Sequence, residues 1–91
     1  YFAAKGGVVN LTRALAAEYG EYNITVNCLS PGQIPKPTVK PEMVERMRLR
    51  QPIRRTGQPQ DLKGAVALLA SPAGEWITGL NLMVDGGWSV F

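Results

Sequence analysis

An amphipathic helical pattern runs from Tyr1 to Tyr19. Its apolar residues recur at spacings of three and four, the period at which side chains share one face of an α-helix. These residues are Ala4, Val8, Leu11, Leu15 and Tyr19. Gly20 follows and predicts a left-handed end to the helix. Gly6 and Gly7 each weaken a helix by about 1 kcal/mol relative to alanine, so we expect another element to pack closely against that turn.

Two later segments have the pattern of β-strands. Residues 24–29 are largely β-prone, and Ser30-Pro31-Gly32 then supply residues that end a strand. In residues 80–84 Leu, Leu and Val occupy alternate positions, and Asp85-Gly86-Gly87 ends that run. The sequence therefore predicts a buried strand at the first segment and a last strand at the second.

Two helices are predicted between these strands. Pro41 starts a short helix over residues 42–50, and Pro59 opens another that ends before Ser71. Trp76 falls in the turn that follows. The order helix, strand, helix, helix, strand favours two parallel strands joined by a right-handed helical crossover, which is half of a doubly wound α/β sheet. Two strands cannot cover three amphipathic helices, so we expect more strands as partners.

Composition bounds the size and class of the chain. Its 91 residues, 45% of them hydrophobic, are enough for one small globular unit. The helical pattern is already running at Tyr1 with no cap before it, so we expect a piece of a longer protein. The sequence has no apolar run of about 18 residues and no signal-peptide pattern, so we expect no membrane partner. The one cysteine, Cys28, cannot form an internal disulfide, which favours a reducing cytoplasm.

Basic residues outnumber acidic ones by ten to seven, a net charge of +3. Half of the basic residues lie in one window, namely Arg46, Arg48, Arg50, Arg54 and Arg55. Such a cluster can attract phosphate, but no aromatic residues are interleaved with it to stack bases, so a solvated helix face is favoured and no nucleic-acid partner is predicted. Nucleic-acid binding would instead show a strong salt dependence. No metal site is predicted.

Tyr1 and Lys5 lie four residues apart in the predicted helix, so their side chains share a face with Cβ atoms about 5–6 Å apart. A phenol of pKa about 10 exchanges protons poorly near neutrality, but an adjacent ammonium stabilises the phenolate and lowers that pKa. The pair can therefore act as an acid/base. The spacing alone does not separate this role from an ordinary surface pair, because it arises by chance in many helices.

Four groups of residues follow one another in a fixed order. They are Tyr1-Phe2-Ala3-Ala4-Lys5, then Ile24-Thr25-Val26-Asn27-Cys28-Leu29-Ser30-Pro31-Gly32, then Arg55-Thr56-Gly57-Gln58-Pro59-Gln60-Asp61-Leu62, then Thr78-Gly79 with Val84-Asp85-Gly86-Gly87. Together they resemble the short-chain dehydrogenase/reductase family over nearly the whole chain. The resemblance implies that residues 1–91 are the C-terminal fragment of a single Rossmann-like oxidoreductase domain with a doubly wound parallel sheet.

The resemblance also implies roles for individual residues. Tyr1 would exchange a proton with the substrate hydroxyl, and Lys5 would hydrogen-bond the nicotinamide ribose and lower the pKa of Tyr1. Both would contact the cofactor, NAD or NADP, and backbone groups of Pro31, Gly32 and Ile34 would contact its carboxamide. The implied reaction interconverts a small-molecule alcohol and a ketone by hydride transfer, in a homodimer or homotetramer.

Residues 36–58 are predicted to form a substrate flap followed by a basic loop. Lys36 stands where the family often has a threonine that helps to hold the cofactor, so its ammonium is placed to meet either the pyrophosphate or an acidic substrate. An alternative to the enzyme is a non-catalytic oligomerisation or interaction module derived from the same fold. The mass of the intact polypeptide would distinguish the two.

Overall fold

The computed structural model describes residues 2–90, so Tyr1 lies outside the described residues. Helix α1 spans Phe2–Tyr19, strand β1 Cys28–Pro31, helix α2 Pro41–Leu49, helix α3 Lys63–Ala70 and strand β2 Asn81–Val84. Short 3₁₀ helices occupy Gly20–Tyr22, Pro59–Leu62, Pro72–Gly74 and Trp88–Val90. The predicted order of helix, strand, helix, helix, strand is confirmed.

Strands β1 and β2 pair in parallel. The Cys28 amide donates to the Leu80 carbonyl at 2.8 Å, and the Gly32 amide donates to the Val84 carbonyl at 3.0 Å. Both strands advance by four residues between these two bonds, which is the register of a parallel ladder. The predicted α/β class with parallel strands is therefore confirmed. Within residues 2–90 the sheet has these two strands only.

The first strand lies further along the chain than predicted. It begins at Cys28 rather than at residue 24, and it includes Pro31, which was predicted to lie beyond its end. A proline is tolerated there because the amides of alternate residues, from Cys28 to Gly32, face β2, so the Pro31 nitrogen faces away from the ladder. The last strand, Asn81–Val84, falls within the predicted segment.

The residue that takes the left-handed conformation after α1 differs from the prediction. Gly20 does not take the left-handed conformation, because the chain continues from Tyr19 into the 3₁₀ helix Gly20–Tyr22. Asn23 takes that conformation instead, with φ 59°, and its amide donates to the Gly20 carbonyl. Asparagine is one of the few residues other than glycine that enters the left-handed region at low cost. The α-helix therefore ends at Tyr19 as predicted, but the prediction of a left-handed Gly20 is wrong, because the left-handed residue lies three positions later.

The predicted apolar stripe of α1 is not its buried face. Over residues 3–19 of this helix Thr12 and Ala16 are the buried residues, whereas Val8 and Leu11 are 52% and 57% exposed. The Thr12 hydroxyl donates to the Val8 carbonyl at 2.8 Å, which satisfies the buried polar group within the helix. Ala16 lies beside the backbone of Gly79, since a Cβ on Gly79 would lie 3.5 Å from that of Ala16.

No described residue packs against Gly6 or Gly7. A Cβ added at either glycine meets nothing within 4 Å among residues 2–90. The close contact predicted at that turn is therefore not supplied by the described part of the chain. Trp76 lies in a turn as predicted and is 96% exposed.

The two middle helices begin as the prolines predict. Pro41 is at the first turn of α2. Pro59 opens a 3₁₀ helix rather than α3 itself, and Asp61 and Gln58 close its start with a reciprocal capping box. The α-helical part of the third predicted helix is accordingly shorter, Lys63–Ala70.

The chain divides into two compact units. The first contains the residues up to Leu29 together with Ala65–Leu82, and the second contains Ser30–Gly64 together with the residues from Met83 onward. No helix within residues 2–90 is long and apolar enough to cross a lipid bilayer. In the same part of the chain no three histidine, cysteine or acidic side chains are grouped as metal ligands would be.

Candidate functional site

The first predicted site residue that the structure describes is Lys5, in the first unit. It lies in the second turn of α1, and its position is exposed to solvent. Tyr1 lies outside the described residues, so the pairing of the phenol with the ammonium stays a prediction. The helical conformation of residues 2–19 nevertheless supplies the regular backbone on which that prediction depends.

Pro31, Gly32 and Ile34 lie in the second unit, at the carboxyl end of β1. Ligands of open parallel sheets bind beyond the carboxyl ends of the strands, and the cofactor contacts of these residues stay a prediction. The Gly32 amide is already used, since it donates to the Val84 carbonyl. A Cβ on Gly32 would lie 2.6 Å from the Asp85 Cα, so glycine is required here by a neighbouring backbone. The sequence predicted a close approach to a cofactor at Gly32, and its contact with Asp85 was missed.

Ile34 has the backbone groups that a carboxamide needs. Within residues 2–90 neither its N–H nor its C=O makes a hydrogen bond, and the residue is half-buried. A carboxamide presents one acceptor and two donors, which match a backbone N–H and C=O. Backbone groups of a half-buried residue that make no hydrogen bond within residues 2–90 fit a ligand that supplies the partner. The residues present at this strand end therefore fit the nicotinamide carboxamide.

A cavity of about 160 Å³ lies within the second unit. Its lining includes Gly32, Ile34, Gln51, Gly57 and Asp61. Gln51 is 2% exposed, and its side-chain amide donates to the Met47 carbonyl at 3.3 Å. The cavity wall thus combines glycines and apolar residues with polar ones, and of its polar residues Gln51 is the buried one.

The loop after α2 contacts the segment that follows β1. The Gly57 amide donates to the Gln33 carbonyl at 2.8 Å. A Cβ on Gly57 would lie 3.1 Å from Ile34 Cγ1 and 3.3 Å from the Gln33 oxygen. The loop and the segment therefore approach each other closely at a residue that has no side chain.

Arg55 and Asp61 form a bidentate ion pair on either side of Gly57. The Nη1 and Nη2 atoms of Arg55 donate to the two carboxylate oxygens at 2.7 and 2.9 Å. The Gln58 amide also donates to Asp61, at 2.8 Å. The bond from Arg55, followed by that from Gln58, lowers the pKa of Asp61 to about 2. The carboxylate is therefore charged throughout the physiological range.

Two other members of the arginine cluster are engaged within the chain. Arg48 pairs with Glu45 through Nε and Nη2 at 3.0 and 2.6 Å, and this bond lowers the pKa of Glu45. Arg54 donates to the Leu49 carbonyl. The window predicted as a solvated basic face thus carries ordered contacts, although its side chains remain largely exposed.

The turn after β2 is held by its own aspartate. Asp85 accepts hydrogen bonds from the amides of Gly87 and Ser89 at 3.0 and 3.1 Å. Bonds from Ser89, chiefly that of its side chain, lower the pKa of Asp85. Gly86 and Gly87 have φ of 63° and 92°, a region that side chains disfavour. These contacts give the Asp85-Gly86-Gly87 sequence a structural role.

Comparison with known proteins assigns the chain to a family. A family model described as enoyl-(acyl carrier protein) reductase matches residues 1–89. Galactitol 2-dehydrogenase (L-tagatose-forming) of Cereibacter sphaeroides is 42% identical over 100% of this chain and 38% of its own length. The 7alpha-hydroxysteroid dehydrogenase of Escherichia coli K12 is 42% identical over 96% of this chain and 36% of its own. The chain belongs to the short-chain dehydrogenase/reductase family.

Solved structures agree with this assignment. A short-chain dehydrogenase of Leptospira borgpetersenii with bound NAD+ superposes with a TM-score of 0.92 at 37% identity, over 98% of this chain and 35% of the other. A 4-hydroxyisoleucine dehydrogenase complexed with NADH gives 0.88 at 34% identity, over 100% and 38%. The described chain is thus a Rossmann-like part of a short-chain dehydrogenase/reductase and spans little more than a third of its relatives' length.

Two of the family motifs in this short-chain dehydrogenase/reductase are joined by side-chain hydrogen bonds. Asn27 donates to the Ile77 carbonyl and accepts from the Leu80 amide, each at 3.0 Å. Thr78 accepts from the Val26 amide at 3.0 Å. These bonds join the segment before β1 to the segment before β2. Sequence reasoning quoted both motifs but did not link them, since about 50 residues separate the partners.

Proposed function

We propose that the protein carrying these residues is an NAD- or NADP-dependent oxidoreductase that interconverts an alcohol and a ketone by hydride transfer. The observation that carries the proposal is the family match over residues 1–89, which includes the Tyr1 and Lys5 motif. Relatives named for oxidising galactitol and a hydroxysteroid, and structures solved with NAD+ or NADH, support it. The unsatisfied backbone groups of Ile34 support a nicotinamide at the end of β1.

In this proposal Tyr1 exchanges the proton. During alcohol oxidation its phenolate oxygen takes the hydroxyl proton while the carbon-bound hydrogen leaves as hydride, and during ketone reduction the phenol returns the proton. Lys5 holds a positive charge one helical turn away, which favours the phenolate. Backbone groups of Ile34, with Pro31 and Gly32 preceding it, orient the carboxamide. The cofactor, when bound, accepts or donates the hydride.

The substrate is proposed to be a small molecule with a secondary hydroxyl or the corresponding ketone. Residues 36–58, which contain α2, are proposed to cover it, and Lys36 lies at an exposed position at the start of this segment. A cytoplasmic location is part of the proposal, because Cys28 has no second cysteine to pair with among residues 1–91.

The test is a cofactor-linked assay of the complete polypeptide. The purified protein is given NAD or NADP with a panel of polyols and hydroxysteroids, and formation of the reduced nicotinamide is followed by absorbance. We expect turnover with one cofactor and at least one secondary alcohol. Absence of turnover together with absence of cofactor binding would favour the alternative of a non-catalytic interaction module.

We also propose a homodimer or homotetramer that uses the apolar surface of α1. Val8 and Leu11 are more than half exposed on one face of this helix, although both are apolar. Burying such a face against a second copy removes it from water. Leu11→Glu should shift the complete protein to a smaller species in analytical ultracentrifugation. Leu49→Glu, at a similarly exposed leucine of α2, should leave the assembly unchanged.

A further inference from the structure

The segment Gln33–Ile34 lies outside the secondary structure of the chain. It follows β1, and within residues 2–90 its one hydrogen bond is the one that the Gln33 carbonyl accepts from Gly57. A backbone segment with so few bonds depends on its neighbours for a fixed position. The position of Ile34 is therefore set by the loop that carries Gly57.

That loop has no regular secondary structure and is held by an ion pair between its flanking residues. Residues 56–58 are neither helix nor strand. The bidentate Arg55–Asp61 pair encloses them, and Asp61 also accepts the Gln58 amide. Bidentate guanidinium–carboxylate pairs fix orientation as well as distance. Gly57 is thereby held where its amide meets Gln33 and where no side chain separates the loop from Ile34.

We propose that Arg55, Gly57 and Asp61 are positioning residues that set the orientation of the Ile34 backbone toward the nicotinamide end of the cofactor. The inference rests on the proposed function, because it takes Ile34 to be the carboxamide contact. It predicts that loosening the loop weakens recognition of the nicotinamide while recognition of the rest of the cofactor is unaffected. A residue with a purely structural role would affect both parts of the cofactor alike.

Each variant is matched to a control outside the loop. Asp61→Asn removes the charge of the pair and retains an oxygen for the Gln58 amide. Its control is Glu75→Gln, which removes an exposed carboxylate that forms no ion pair among residues 2–90 and lies outside residues 36–58. Gly57→Ala places a methyl group against Ile34 and Gln33. Its control is Gly64→Ala, because a Cβ there meets nothing within 4 Å.

The first measurement is equilibrium binding to the complete protein. The probes are the reduced cofactor that the wild type prefers and the matching ADP-ribose or its 2′-phosphate, which lack the nicotinamide. We expect the dissociation constant of the reduced cofactor to rise about threefold in Asp61→Asn and about tenfold in Gly57→Ala. The constant for the ADP-ribose probe should stay unchanged, and both controls should bind both probes as the wild type does.

The second measurement needs no cofactor. In protein labelled with nitrogen-15 isoleucine, the Ile34 amide resonance should shift in both variants and in neither control. An equal rise in the dissociation constants of both probes, or an unshifted Ile34 resonance, would overturn the positioning role. If the wild type binds neither NADH nor NADPH, the proposed function itself is wrong. Should Gly57→Ala fail to fold, Asp61→Asn carries the test, since it adds no bulk to the loop.

Discussion

The predicted site residues fall into a helix part and a strand-end part, which are built by different means. In the helix part, Lys5 lies on a regular helix of 18 residues, so the role proposed for it rests on its side chain. In the strand-end part, the proposed cofactor contact is made by backbone groups of Ile34, whose geometry depends on the neighbouring residues. The helix part should therefore respond to the identity of a side chain, whereas the strand-end part should respond to added atoms nearby.

The strongest test of the helix part is Tyr1→Phe in the complete protein. Loss of the hydroxyl removes the exchangeable proton, so turnover should fall by about 10²- to 10⁴-fold while cofactor affinity changes little. The measurement is the turnover number beside the cofactor dissociation constant. Tyr19→Phe, on the same helix, is the control and should be close to wild type. An unchanged turnover number for Tyr1→Phe would remove Tyr1 from the mechanism.

Lys5→Ala should have the next largest effect and a different signature. Turnover and cofactor affinity should both fall, and the alkaline limb of the pH–rate profile should move to higher pH, because the phenol loses the cation that stabilises its charged form. Lys63→Ala, an exposed lysine of α3, controls for the general loss of positive charge. A limb that stays in place or moves to lower pH contradicts the role assigned to Lys5.

Gly32→Ala tests the strand-end part through stability. The new methyl group would stand 2.6 Å from backbone and Cβ atoms of Asp85, so the ends of β1 and β2 must separate. Overpacking of this kind costs roughly 1–3 kcal/mol. Urea unfolding of the complete protein measures the loss. Gly64→Ala should instead stabilise the folded protein by about 1 kcal/mol. Alanine favours a helix more than glycine does, and the added Cβ has open space around it. Equal effects of the two variants would show that the close approach at Gly32 has no energetic weight.

Local signals explain why the elements were predictable and some contacts were not. The spacing of apolar residues indicated α1, and the prolines at 41 and 59 placed the starts of α2 and of the 3₁₀ helix. The buried face of α1 was missed because Ala16 packs beside Gly79, which is distant in sequence. Long-range contacts of this kind have no local pattern.

Among the predicted site residues, too, local signals were visible in the sequence and long-range contacts were not. The order of the family motifs was sufficient to select Lys5 and Ile34, and their proposed roles await the experiments above. The contact of Gly32 with Asp85 spans 53 residues and was not visible. Arg55 was counted in a basic window because charge alone does not reveal a partner. Its pairing with Asp61 depends on the turn that the intervening Gly57 and Pro59 allow the chain to make.

The smallest expected effect is that of Asp61→Asn on stability, and it tests whether the charge or the shape of this side chain holds the loop. Asp61 has its pKa lowered from 3.8 to about 2, chiefly by Arg55, so folding is favoured by its charged form. A lowered pKa contributes stability that is complete above about pH 4 and is lost as pH falls through about 2.

Asp61→Asn should therefore be less stable than the wild type near neutrality, and the urea midpoints of the two proteins should converge as the pH approaches 2. The gap should be modest, because Arg55 is exposed, Asp61 is partly exposed, and water screens the pair. Glu75→Gln is the control, since Glu75 forms no ion pair among residues 2–90, and it should show no such convergence. A gap for Asp61→Asn that persists unchanged to pH 2 would mean that the shape of the side chain, rather than its charge, holds the loop.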